Sequence, residues 1–121
     1  MEHLIRGVDH VQVAAPPGGE TRARWFYGEV LGMPEIPKPE PLRSRGGVWF
    51  QCGEHQLHVG VELEFAAAAK AHPAIRVSGL EALKQRLSAQ GVKFTPDDVL
   101  PGTARIYVND PFGNRLEFLE S

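Results

Sequence analysis

Asn109-Asp110-Pro111-Phe112-Gly113-Asn114-Arg115-Leu116-Glu117-Phe118 is the stretch on which the fold turns. Its first six residues are dense in turn formers: Asx side chains that bond their own backbone, a proline with fixed φ, and a glycine free to take positive φ. Residues 115 to 119 then alternate polar and apolar, the signature of a strand with one face buried. Thr103 to Val108 alternates in the same way ahead of the turn. The whole reads as a β-hairpin.

Working outward, a second hairpin lies at Gly47 to Gln51 and Gln56 to Glu62, turning at Cys52-Gly53-Glu54-His55. Residues 7 to 15 (GVDHVQVAA) and 72 to 77 (HPAIRV) read as strands. After the first, Ala23, Phe26, Tyr27, Val30 and Leu31 form one apolar helical stripe, which Gly32 closes. After the second, Ser78-Gly79-Leu80-Glu81 has capping-box spacing. Leu80, Leu83 and Leu87 then line a helix that Gly91 ends. Four prolines between residues 33 and 46 leave room only for a short edge strand. Val92 to Thr95 is the matching short strand. The order is therefore βαβββ twice. One domain spans 1–121, built of modules at about 1–62 and 72–121. They are joined by an alanine-rich connector, 63–71, that has room for one or two helical turns. The predicted class is α+β, with helices on the outer face.

The composition excludes several functions. The chain has 121 residues, with 13 Lys+Arg against 15 Asp+Glu. That near-balance, without a basic block, argues against nucleic acid as a partner. The longest apolar run, Phe65 to Ala69, falls far short of the roughly 20 residues of a membrane span. Met1-Glu2-His3 leads into Arg6 and Asp9 with no apolar core of a secretory signal. Cys52 is the sole cysteine, so no disulfide framework exists. Cytoplasm is the expected location. Phosphate-cradling glycine loops, nucleophile elbows and paired-cysteine zinc motifs are absent.

Aligning the two halves brings out the chemistry. His10 matches His72, and His58 matches Glu117. Strand alternation sets Leu57, Val59, Leu116 and Phe118 on one face, toward the helices. Val11 and Val13 are read onto the same apolar face. The other face collects His10, Gln12, Trp49, Gln51, His58, His72, Tyr107 and Glu117. A single histidine on a sheet is more often a satisfied polar group than a ligand. Four candidates at repeat-equivalent positions form a stronger pattern. Three neutral imidazoles and a carboxylate suit one divalent transition metal per site: Zn, Fe, Mn, Ni or Co. Such an ion polarises a carbonyl or oxyanion, and Glu117 is the candidate catalytic base. Gln12, Trp49, Gln51 and Tyr107 are candidate substrate contacts. Arg76 and Arg105 read as carboxylate partners at the sheet edge. Trp25 and Phe26 read as helix core.

The motifs resemble the vicinal oxygen chelate superfamily, which holds glyoxalases, bleomycin-resistance proteins and extradiol dioxygenases. The resemblance rests on Val8-Asp9-His10-Val11-Gln12-Val13, on Trp25-Phe26-Tyr27 through Val30-Leu31-Gly32-Met33, and on Asp110-Pro111-Phe112-Gly113-Asn114 leading to Glu117-Phe118. It implies that the two modules curl into a cupped mixed sheet around a metal. It places ligands at His10, His72 and Glu117, with a fourth from the position of His58. Glyoxalase-like members carry Glu at that fourth position, and this chain departs from them there. The resemblance also implies a homodimer with sites shared between subunits. The expected function is a metal-dependent, glyoxalase-like lyase or isomerase acting on a small molecule with vicinal oxygens. The alternatives are an extradiol-type ring-cleaving dioxygenase and a non-catalytic drug- or metabolite-binding protein.

Overall fold

The computed structural model describes residues 2–121, which leaves Met1 of the N-terminal stretch outside the description. Strand β1 (His10–Ala15) leads into one helical segment, α1, with an α-helical start at Glu20–Ala23 and a wider π-helical continuation at Arg24–Val30. Strand β2 (Glu35–Ile36), a 3₁₀ turn at Glu40–Arg45, and the hairpin β3 (Val48–Cys52) with β4 (His55–Val61) complete the first module. The second module repeats the order with β5 (Ala74–Val77), α2 (Leu80–Ala89), β6 (Thr95–Pro96), β7 (Arg105–Asn109) and β8 (Arg115–Glu120).

Each module forms one four-stranded mixed sheet, ordered β1-β4-β3-β2 and β5-β8-β7-β6. The first strand pairs parallel to the fourth, and the hairpins are antiparallel. The fold is α+β, as expected. The two sheets remain separate in the chain, and each leaves its first strand as an edge. No helix is long and apolar enough to cross a membrane among the described residues.

The apolar faces of both sheets meet the helices in one core. Phe26, Tyr27, Phe50, Leu57, Leu87, Ile106, Leu116 and Phe118 are all buried in it. Several local expectations are corrected. The first strand begins at His10, not at residue 7. His72 precedes β5 instead of lying in it. The short strand expected at 92–95 forms at Thr95–Pro96. The connector 63–71 has no helical turn. Trp25 sits at the surface, because the stripe of Ala23, Phe26, Tyr27 and Val30 leaves it on the far side of the helix. Val11 is 38% exposed, since the edge strand β1 has no neighbour to cover it.

The capping box does not form. Gly79 is the N-cap with φ 94°, and no cap side chain bonds there. Glu120, on β8, accepts hydrogen bonds from the Gly79 N–H (3.0 Å) and the Leu80 N–H (2.9 Å) instead. A carboxylate at a helix start satisfies the free donors and the helix dipole together. Those two N–H groups hold the Glu120 carboxyl below its usual range.

Asp110 ties the modules together. Its buried carboxylate accepts from the Tyr27 hydroxyl (2.6 Å), from the Phe112 N–H (2.9 Å), and from the Asn114 N–H and amide (both 2.8 Å). The Asn114 amide also donates to the Ala14 carbonyl at 2.7 Å. Burial, and next the Asp110 charge, push the Tyr27 phenol well above its normal pKa, so it stays a donor. Phe112 closes the contact against Gly19, where an added Cβ would stand 2.9 Å from its ring.

Three outcomes follow for stability. Tyr27→Phe removes one hydrogen bond to a charged group and is expected to cost about 1.5–3 kcal/mol. Asp110→Ala strands several buried donors and is expected to cost about twice that. Chemical denaturation measures both. Equal losses would refute the assignment of Asp110 as the hub. In the acid range, a depressed carboxyl contributes fully above its unfolded value near 4.5 and loses that contribution as pH falls through the folded value. Glu120→Gln is therefore expected to lower the melting temperature at pH 7 and to flatten its decline below pH 4.5.

Candidate metal and substrate site

Directly paired strand residues share a sheet face. On the first sheet, Gln12 pairs with His58, and His58 pairs with Trp49. The three aromatic rings of this face form a column. Trp49 and His58 stack with centroids 3.8 Å apart at 4°, and His58 and His10 stack at 4.1 Å and 18°. His58 is buried, and its Nε2 bonds the Gln56 amide oxygen at 2.9 Å. Burial lowers its pKa, and the neighbouring His10 lowers it further. Gln12 folds over Gly60, where an added Cβ would lie 2.7 Å from its amide nitrogen. The Gln51 amide is committed to the hairpin turn, where it donates to the carbonyls of Gly53 (2.8 Å) and His55 (3.0 Å).

On the second sheet, Tyr107 pairs with Glu117 and Thr95 with Tyr107. His72 packs edge-on against the Tyr107 ring at 5.6 Å. The His72 Nδ1–H donates to the Lys70 carbonyl (3.0 Å), and Nε2 faces Glu117 Oε1 at 3.0 Å. Arg105 Nη1 donates to Glu117 Oε2 at 3.1 Å. Glu117 is buried. Arg105 thus pairs with a carboxylate, as the sequence suggested, and the carboxylate is the candidate ligand itself. The signal was present: Arg105 lies two residues before Tyr107, on the same face. Among the described residues, the buried Arg105 Nε has no hydrogen-bond partner.

The donor set fits a metal ion. A ligating histidine ordinarily offers one ring nitrogen and anchors the other on a carboxylate or carbonyl. His10 Nδ1 is anchored on Asp9 at 2.9 Å, and His72 Nδ1 on Lys70. Each then presents Nε2. His72 Nε2 faces Glu117 Oε1, where it either donates a hydrogen bond to the carboxylate or, as a bare nitrogen, is placed to share an ion with it. The structure brings His10 beside His58, and His72 beside Glu117. It does not bring all four together: among the described residues, no group of three His, Cys, Asp or Glu side chains is placed to hold an ion within one chain.

The comparisons with known proteins agree with this architecture. The sequence model of the Glyoxalase/Bleomycin resistance protein/Dioxygenase superfamily matches residues 7–118. The chain belongs to that superfamily. A glyoxalase family protein from Bacillus anthracis is 54% identical, with TM-score 0.96 over 100% of this chain and 99% of the other. The fosfomycin resistance protein FosX from Listeria monocytogenes is 15% identical with TM-score 0.79, covering 98% and 95% of the two chains. Lactoylglutathione lyase from Agrobacterium tumefaciens is 21% identical with TM-score 0.69, covering 92% of each. The last two share the fold. No curated protein matches the sequence.

The stacked column makes a pH prediction. His58 titrates below 6.5, so its neutral form contributes fully above that value, and the contribution is lost as pH falls toward the folded pKa. Protonated imidazole lying on indole quenches it. In a Trp25→Phe background, Trp49 emission is expected to fall on acidification with a midpoint below 6.5. His58→Phe should abolish the step. Persistence of the step in that variant would refute the stack.

Proposed function

We propose that the protein is a metal-dependent, glyoxalase-like lyase or isomerase acting in the cytoplasm on a small molecule with vicinal oxygens. The reading is carried by one observation: His72 Nε2 and Glu117 Oε1 face each other at 3.0 Å while their other polar atoms are held by Lys70 and Arg105. His10, His72 and Glu117 would hold the ion, with His58 beside them as the fourth candidate. A divalent ion there supplies Lewis acidity, polarising the substrate oxygens. Arg105 occupies Glu117 Oε2, so Oε1, once displaced from the ion, would be the atom that takes or returns a substrate proton. Trp49, Gln12 and Tyr107 shape the walls, the first as a flat apolar surface and the others with polar ends.

The site is completed by a second copy of the chain. Strands β1 and β5 are both free edges, and an edge strand is a ready surface for another chain. In the segment that precedes β1 in the chain, Leu4 and Ile5 are each 84% exposed. Apolar side chains so placed suit burial between subunits. A two-fold dimer would set His10 and His58 of one protomer opposite His72 and Glu117 of its partner, forming two equivalent sites.

The first test is elemental analysis beside mass measurement in solution. One transition metal per subunit and a dimer are expected, with the metal lost in Glu117→Ala. A metal-free dimer that resists reloading would overturn the metal reading. The shared site is tested by mixing variants. His10→Ala and Glu117→Ala are each expected to bind no metal tightly. Random subunit exchange should restore about a quarter of the wild-type sites, since half the dimers are mixed and each has one intact site. No recovery after verified exchange would place the site within one chain. Oxygen uptake with a catechol would select the ring-cleaving alternative.

A further inference from the structure

Beside Glu117, the open face of the second sheet carries cations that, among the described residues, have no carboxylate partner. Strand parity places Thr95, Tyr107 and Glu117 in one row, with Asn109 and Arg115 in the next. Lys93, Thr95, Tyr107, Asn109 and Arg115 line a cleft of about 390 Å³. No carboxylate lines it. Among the described residues, neither Lys93 nor Arg115 pairs with one. The Arg115 guanidinium lies over the Tyr107 ring at 4.1 Å, which holds its charge at the cleft wall. Tyr107 in turn touches His72. Two cations, a hydroxyl, an amide and a phenol thus converge next to the candidate metal ligands, in a chain whose net charge is −2.

We propose that this cleft is an oxyanion subsite, and that the substrate carries a carboxylate or other oxyanionic group close to its vicinal oxygens. The inference rests on the proposed function for its second half. The anion would lie across Lys93 and Arg115, with Thr95 and Asn109 as neutral donors. Arginine offers paired donors that match a planar or tetrahedral oxyanion. Lysine adds a mobile point charge. Arg105 strengthens the same field, although its Nη1 is engaged by Glu117. With the oxyanion fixed one row away, the substrate's remaining oxygens would be presented toward Glu117 and His72. The cleft therefore orients as well as attracts.

The test uses the full-length protein stripped of metal, with inorganic phosphate and malonate as probes. Titration followed by amide NMR is expected to show saturable shifts at Thr95, Tyr107, Asn109 and Arg115. The double variant Lys93→Gln, Arg115→Gln should weaken binding of both probes at least about tenfold, the usual scale for losing charge-assisted hydrogen bonds. Lys93→Arg should retain it, which controls for folding. Shifts that do not saturate, or equal affinity in the double variant, would overturn the subsite. Metal titration of the same proteins reports separately on the site of His10, His72 and Glu117. Probe binding without metal binding would remove the metal reading and leave the oxyanion cleft standing.

Discussion

A buried carboxylate is tolerated only where donors replace its lost water. Asp110 is surrounded in this way by a phenol from the first module and by the backbone and amide of its own turn. The arrangement does two things at once. It shapes the turn that sets the register of β7 and β8, and so places Tyr107 opposite Glu117. It also fastens that turn to α1 and, through Asn114, to β1. The position of Glu117 relative to the first module depends on it. The wide π-helical winding around Tyr27 belongs to the same region, and such windings are frequent where a helix serves a site.

The two modules use the same frame for different chemistry. In both, the first strand lies parallel to the fourth, and the third folds back against the fourth. The equivalent positions carry His58 in one half and Glu117 in the other. Their surroundings differ accordingly. His58 is sandwiched between flat rings, and its burial, with the neighbouring His10, favours the neutral imidazole. Glu117 is flanked by the Arg105 guanidinium, which complements its negative charge, and by the His72 ring nitrogen. The open face of one sheet is lined by aromatic rings, and that of the other carries cations.

Much of this was legible in the chain because strand parity is strict. Once the turn at residues 109–114 was read, the alternation of Arg115 to Leu119 left Glu117 no choice of face, and likewise for Tyr107 and Trp49. What parity could not reveal was the neighbour of each edge. Val11 has the right parity for the core and remains exposed, because burial depends on what covers a strand. The cap of α2 was missed for a related reason: Ser78 and Glu81 have the local spacing, yet Glu120, 40 residues beyond Leu80, takes the role. Local patterns compete with partners that only the tertiary fold delivers. The separation of His10 from His72 within one chain is likewise a matter of how modules dock, which periodicity does not encode.

The contacts that bind the modules also set the order in which the chain can assemble. Tyr27 and Asp110 are 83 residues apart, and Ala14 and Asn114 are 100 apart. Loop-closure entropy makes such distant contacts late ones. Each hairpin closes over a few residues, and each sheet is complete within its own half. A nascent chain can therefore form its first sheet while Tyr27 still faces water or a transient partner. The apolar faces of the two halves become one core only when the final hairpin arrives. Residues 109–118 are then both the end of the fold and its lock, and slow folding of this short stretch would hold the entire molecule open.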